Sequence, residues 1–170
     1  GLGLVRRHAH RRRHGFEFDY DVGFDAEGRV LGVEVQMIGN AGHSADLSGP
    51  VMTRALCHFD NAYWLPEVAM HGYSGKTNTQ SNTAFRGFGG PQGAIAIEYI
   101  LDSVARRLGR DPRDVRRANF YGPSPGQDSA RPAGERNVTP YLQTVRDNVV
   151  HELVAELETS SDYRARRTAV

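Results

Sequence analysis

Hydrophobic and polar residues alternate near the start of the chain, and the period then changes. In FEFDYDVGF, Phe16, Phe18, Tyr20, Val22 and Phe24 take every second position, with Glu17, Asp19, Asp21 and Gly23 between them. A period of two predicts a strand with one aromatic face. Residues 25–28, DAEG, carry turn chemistry. The following run, RVLGVEVQM, puts Leu31, Val33, Val35 and Met37 on one face and Gly32, Glu34 and Gln36 on the other. The two runs together predict a half-buried antiparallel hairpin. Residues 39–50 are polar and contain glycine, which predicts a loop. Residues 51–58 suit a short helix behind Pro50, a residue that fits the first helical position. A strand is expected over 67–73 and a glycine-containing loop over 74–93.

Helical spacing takes over at Ala94, Ile97, Leu101, Val104, Ala105 and Leu108, and Gly109 is a suitable stop. Asp111 and Pro112 read as N-cap and first residue of a short helix reaching about Ala118. Residues 121–137 are rich in Gly, Pro and Ser and predict a long loop. Thr144 to Asp147 resembles a capping box with Asp in place of Glu, ahead of a helix face made by Val149, Val150, Leu153, Val154 and Leu157. A last helix starts at Ser161 or Asp162. There is no internal repeat. A hairpin followed by helices makes the expected fold class α+β. The chain divides into a basic segment, 1–14, and a partial domain, 15–170, that reads as cut at both ends.

Composition changes this picture only slightly. Hydrophobic residues make up 39% and charged residues 24%, enough apolar surface for a core. Five Arg and three His crowd the first fourteen residues, so the rest is mildly acidic. That argues against a nucleic-acid partner for the body of the domain. A single cysteine, Cys57, excludes an internal disulfide and with it a small secreted scaffold. No run of 18 apolar residues is present, so no membrane span is expected. The basic start lacks the apolar stretch of a secretory signal, and a cytoplasmic protein is the expectation.

The segment TNTQSNTAFRGFGGPQG, residues 77–93, concentrates the candidate chemistry. Gly87, Gly89 and Gly90 let the backbone turn tightly and approach a ligand. Arg86 offers a cationic donor and Phe88 an aromatic platform. The helix start near Pro91 favours an oxyanion or phosphate. Such a loop suits a planar or anionic cofactor, and it equally suits a plain strand-to-helix connection. GFGG lacks the spacing of a dinucleotide fingerprint. His43, His58, His71 and Cys57 lack metal-ligand spacing, so no metal site is assigned to them. Ser44 and Ser48 lack the context of a hydrolase nucleophile.

SNTAFRGFGGPQ resembles the signature of the xanthine dehydrogenase and aldehyde oxidase family of molybdenum hydroxylases. Upstream, SADLSGPVMTRALCHFDNAYWLPEV is similar to a second family segment. Downstream, LGRDPRDVRRANFYG, then NVTPY and VAELETSSDY, continue the resemblance in family order. RALCHFDNAY and ANFYG resemble xanthine dehydrogenases more than other members, with Cys57 replacing a usual aromatic. The resemblance implies that the α+β fold is part of the large molybdenum-cofactor-binding domain. It implies that Arg54 is catalytic and substrate-binding, orienting a purine and stabilising charge that develops on its ring. Phe88 would pack against the substrate ring and Leu47 would line the channel. Arg86, Gly87, Phe88 and Gly89 would contact the molybdenum cofactor, molybdopterin.

The implied activity is oxidation of hypoxanthine and xanthine to urate with water-derived oxygen. Electrons would pass through iron–sulfur clusters and FAD to NAD. Those centres belong to other domains or subunits, which implies an iron–sulfur/FAD partner and a hetero-oligomer. Two family glutamates, one purine-binding and one the catalytic base, have no counterpart in the chain, and GLGLVRRHAHR does not match the family. The alternatives are an aldehyde oxidoreductase, which needs no purine-orienting arginine, and a non-catalytic fragment. On the missing base, the isolated chain is expected to be inactive.

Overall fold

β1 (Phe16–Phe24) and β2 (Val30–Gly42) form the expected antiparallel hairpin in the computed structural model, which describes residues 13–122, 135–146 and 148–169. Asp25 shapes the turn: its Oδ1 accepts from the amides of Glu27 at 3.0 Å and Arg29 at 2.9 Å. Past the turn the ladder slips. Phe24 pairs with Val30 and Gly23 with Gly32, leaving Leu31 as the extra residue of a bulge. This corrects the expected inward position of Leu31, which is 45% exposed while Val33, Val35 and Met37 are buried.

β2 runs on to Gly42, past the expected end at Met37. The cause is β3 (Val68–Lys76), which lies parallel to it with Val33 opposite Val68 and Asn40 opposite Gly75. A second ladder holds the polar end of the strand extended where local pattern alone predicts a loop. The sheet order is β1-β2-β3. The parallel connection contains α1 (Ser48–Cys57), which begins two residues before Pro50. Proline is still tolerated there, because amides of the first turn have no partner within the helix.

α2 (Gly90–Leu108) buries Ala96, Ile97, Ile100, Leu101, Val104 and Ala105, close to the predicted stripe, and stops at Gly109. α3 (Pro112–Asn119) opens as expected, with the Asp111 carboxylate accepting from the Arg113 amide. The core lies where the inner face of the sheet meets α1 and α2, with Val35, Met37, Ala55, Ile97 and Leu101 among its members. Each of these side chains larger than alanine contributes roughly 1.5–3 kcal/mol through burial. Asn119 ties α3 to the hairpin turn. It accepts from the Val30 amide and donates to the Gly28 and Val115 carbonyls, each at 2.8 Å.

The C-terminal part departs from expectation. α4 (Val150–Ser160) begins six residues after Thr144, with the Asn148 side chain accepting from the Val150 amide at 3.2 Å. Val150 and Val154 pack on the core, whereas Val149, Leu153 and Leu157 are each more than half exposed. Asp147 of the expected capping box lies outside the described residues, as do 123–134 of the expected loop and 1–12 of the basic segment. α5 (Tyr163–Thr168) follows Asp162 as anticipated and is held by Arg164, which meets Asp114 at 2.8 Å and Glu158 at 2.9 Å. Among the described residues no helix is long and apolar enough to cross a membrane.

Candidate functional site

The loop before α2 and the body of α1 meet backbone to backbone. A Cβ on Gly89 would overlap the Val51 carbonyl oxygen, and one on Gly93 would overlap that of Ala55. Glycine at both positions therefore lets the start of α2 rest directly on α1. Gly87, Phe88 and Gly89 are consecutive residues with positive φ, at 94°, 51° and 100°. Phe88 is unusual in this, since a bulky side chain rarely adopts the left-handed region. Two bonds hold the turn: the Phe88 amide donates to the Phe85 carbonyl at 2.7 Å, and the Gly90 amide to the Gly87 carbonyl at 3.0 Å. The amides of Gly87 and Gly89 form no backbone hydrogen bond among the described residues.

The predicted site residues fall on these two adjoining elements. Leu47 stands at the N-cap of α1 and is 40% exposed. Arg54 lies in the last turn of α1 and is exposed. They are seven residues apart, two helical turns, and so share one stripe. Val51 lies between them in sequence, and its carbonyl is the one Gly89 meets. Arg86 and Gly87 are exposed on the loop, Phe88 is half-buried and Gly89 is buried. The fold thus sets the glycine turn against the helix that carries Leu47 and Arg54.

Neither the Arg54 nor the Arg86 side chain has an ion pair among the described residues, whereas Arg113 and Arg116 are committed to Asp114, Glu158, Glu98 and Asp102. An unpaired guanidinium keeps its fork of donors available to a ligand. Beyond α1 the chain is pinned by buried polar groups. Asp60 accepts from the Tyr121 hydroxyl at 2.6 Å. Burial lifts the Asp60 carboxyl above its usual range, and burial together with Asp60 lifts the Tyr121 hydroxyl. Glu98 accepts from Tyr63 at 2.6 Å, Arg116 at 2.6 Å and Asn61 at 3.0 Å, fixing the DNAY segment to α2 and α3.

Sequence pattern misses a second polar group beside the loop. His14, Ser48 and Gln92 are buried, and His14 Nε2 lies 2.7 Å from Ser48 Oγ. They come from the segment ahead of β1, from α1 and from α2, and share no periodic signal; their only trace is a histidine and a serine near predicted element starts. The described residues contain no group of three or more His, Cys, Asp or Glu placed to hold a metal ion.

Residues 6–120 match the family described as the molybdopterin cofactor-binding domain. Xanthine dehydrogenase of Drosophila subobscura is 40% identical over 158 residues, covering 93% of this chain and 11% of that protein. Nicotinate hydroxylase of Emericella nidulans is 38% identical over 160 residues, covering 94% of this chain and 11% of that protein. The chain therefore spans about a tenth of the length of these relatives. In fold it is similar to aldehyde oxidoreductase from Desulfovibrio gigas, with a TM-score of 0.72 at 24% identity over 87% of this chain and 15% of the other. With more than half of its length matched, the chain belongs to the molybdopterin cofactor-binding domain family, within the xanthine dehydrogenase-like molybdenum hydroxylases.

Proposed function

We propose that these residues serve a molybdenum hydroxylase that oxidises hypoxanthine and xanthine to urate. The observation that carries this reading is Arg54: an exposed cation in the last turn of α1, the helix on which the glycine turn is seated, and paired with no acid among the described residues. Oxidation of an aldehyde needs no such cation.

The loop fits the cofactor by its donor set. Among the described residues the Gly87 and Gly89 amides have no backbone partner and the Arg86 guanidinium has no ion pair, a donor set that suits an anionic group. Arg86, Gly87, Phe88 and Gly89 would hold the cofactor, which when bound supplies two-electron redox and oxygen-transfer chemistry. Arg54 would donate from its guanidinium to a purine oxygen and stabilise negative charge as it develops on the ring. The Phe88 ring packs face-on against the planar substrate. Leu47 forms an apolar wall that excludes water on the same helix stripe. The carboxylate that accepts the proton comes from outside these residues. Iron–sulfur and FAD centres would lie on other domains or subunits of a cytoplasmic hetero-oligomer and would supply the onward electron transfer.

The test is a chimera in which residues 15–170 replace the matching segment of the Drosophila subobscura xanthine dehydrogenase. Retained molybdenum content and xanthine turnover, lost on Arg54→Ala, is the expected result. Turnover of an aromatic aldehyde without xanthine turnover favours the aldehyde oxidoreductase reading. A folded chimera without molybdenum removes the loop from the cofactor site.

A further inference from the structure

Just ahead of β1, Arg13 and His14 reach the candidate loop from outside it. Arg13 Nη2 donates to the Arg86 carbonyl at 2.7 Å, and its guanidinium carbon lies 4.7 Å from the centre of the Phe85 ring. His14 is 4% exposed and joins the first residue of α1, with Nε2 at 2.7 Å from Ser48 Oγ. The same imidazole interacts with the Thr83 main chain. The His14 carbonyl accepts from Gln92 Nε2 of α2 at 3.5 Å, and Gln92 Oε1 is buried without a partner among the described residues. The next residue is anchored too, because the Asn40 amide donates to the Gly15 carbonyl at 2.9 Å. One dipeptide thus touches the loop at Thr83, Phe85 and Arg86, α1 at Ser48 and α2 at Gln92.

We propose that Arg13 and His14 are positioning residues for the Thr83–Gly89 segment, forming a clasp that sets the glycine turn against α1. The physical need is local. Three consecutive residues of positive φ, one of them Phe88, form a strained turn that persists only when its surroundings over-determine it. The turn's own two bonds do not tie it to α1; the clasp does. His14 is suited to this because its buried ring bonds Ser48 through Nε2 and also interacts with the Thr83 main chain, so one ring links the loop to a helix start. Arg13 is suited by its planar fork, which bonds the Arg86 carbonyl while the cation sits over Phe85. The consequence for ligand binding rests on the cofactor reading of this loop; the clasp itself does not.

Amide exchange read by mass spectrometry on the full chain, without cofactor or substrate, tests the clasp separately from that reading. His14→Ala and Arg13→Ala are expected to speed exchange over residues 82–90 by about tenfold while residues 96–104 in α2 keep wild-type rates. His14→Gln, whose amide reaches Ser48, restores slow exchange. Trypsin cleavage after Arg86 should follow the same order. Unchanged exchange over 82–90 in Arg13→Ala and His14→Ala overturns the proposal. So does equal acceleration of both segments, because that marks a general loss of stability. Should His14→Ala fail to fold, Arg13→Ala and Ser48→Ala carry the same test.

Discussion

The α-carbon of Gly89 sits so close to the carbonyl oxygen of Val51 that no side chain fits between them. Gly89 also has a φ of 100°, where an L side chain is strained. Gly89→Ala is therefore expected to destabilise the chain by about 3 kcal/mol or more, from backbone strain plus overpacking. Gly49→Ala is the contrast: nothing lies within 4 Å of its Cβ position, and it sits inside α1. Because Pro50 follows and disfavours a Cβ on a helical residue before it, the gain in helix propensity is offset, and Gly49→Ala should change stability by no more than about 1 kcal/mol. Urea unfolding of both variants measures the difference.

Asn119 satisfies three main-chain groups with one buried side chain. Asn119→Ala leaves the Val30 amide and the Gly28 and Val115 carbonyls without those partners. The expected loss is about 3 kcal/mol or more, since each abandoned buried group costs roughly 1–3 kcal/mol. A lower urea midpoint at an unchanged slope is the signature.

His14 is held below its ordinary value of 6.5, because burial disfavours its charged form more than Asp46 and the Thr83 main chain favour it. The unfolded chain then binds a proton more readily than the folded chain between 6.5 and the depressed value. Stability from His14 is thus full above that window and is lost as pH falls through it. Comparing wild type with His14→Gln from pH 7 to pH 5 isolates the effect. The wild type should lose more stability on acidification, and parallel curves would refute the assignment.

Arg54 is exposed and has no ion pair among the described residues, so Arg54→Ala should change the unfolding free energy by no more than about 0.5 kcal/mol. In the chimera the same substitution should lower kcat/KM for xanthine by about a hundredfold or more, as expected when a preplaced charge is removed from a developing anion. A large loss of stability would instead make Arg54 a structural residue.

Much of the architecture follows from neighbours in the chain. Alternation from Phe16 to Phe24 makes a strand, the spacing from Ile97 to Ala105 makes a helix face, and Asp111 with Pro112 starts a helix. Each rests on periodicity or on a local bond from side chain to backbone, which a short stretch of sequence carries by itself. The candidate loop was legible as well, because Gly87 and Gly89 flank Phe88 within one motif.

What remained needed partners distant in sequence. Leu31 turns outward because the register against β1 slips, and β2 reaches Gly42 because β3 lies beside it. Asn119 reads locally as an ordinary helix end, and only the returning hairpin turn gives it three partners. His14 lies 34 residues from Ser48 and 78 from Gln92. Sequence alone determined the local periods, the Asp111 cap and the glycine turn. Tertiary structure decided the strand lengths, the bulge, the seat of Gly89 on Val51 and the clasp around the loop. The reason is that buried hydrogen bonds and close packing depend on which surfaces meet, and no local pattern encodes the partner.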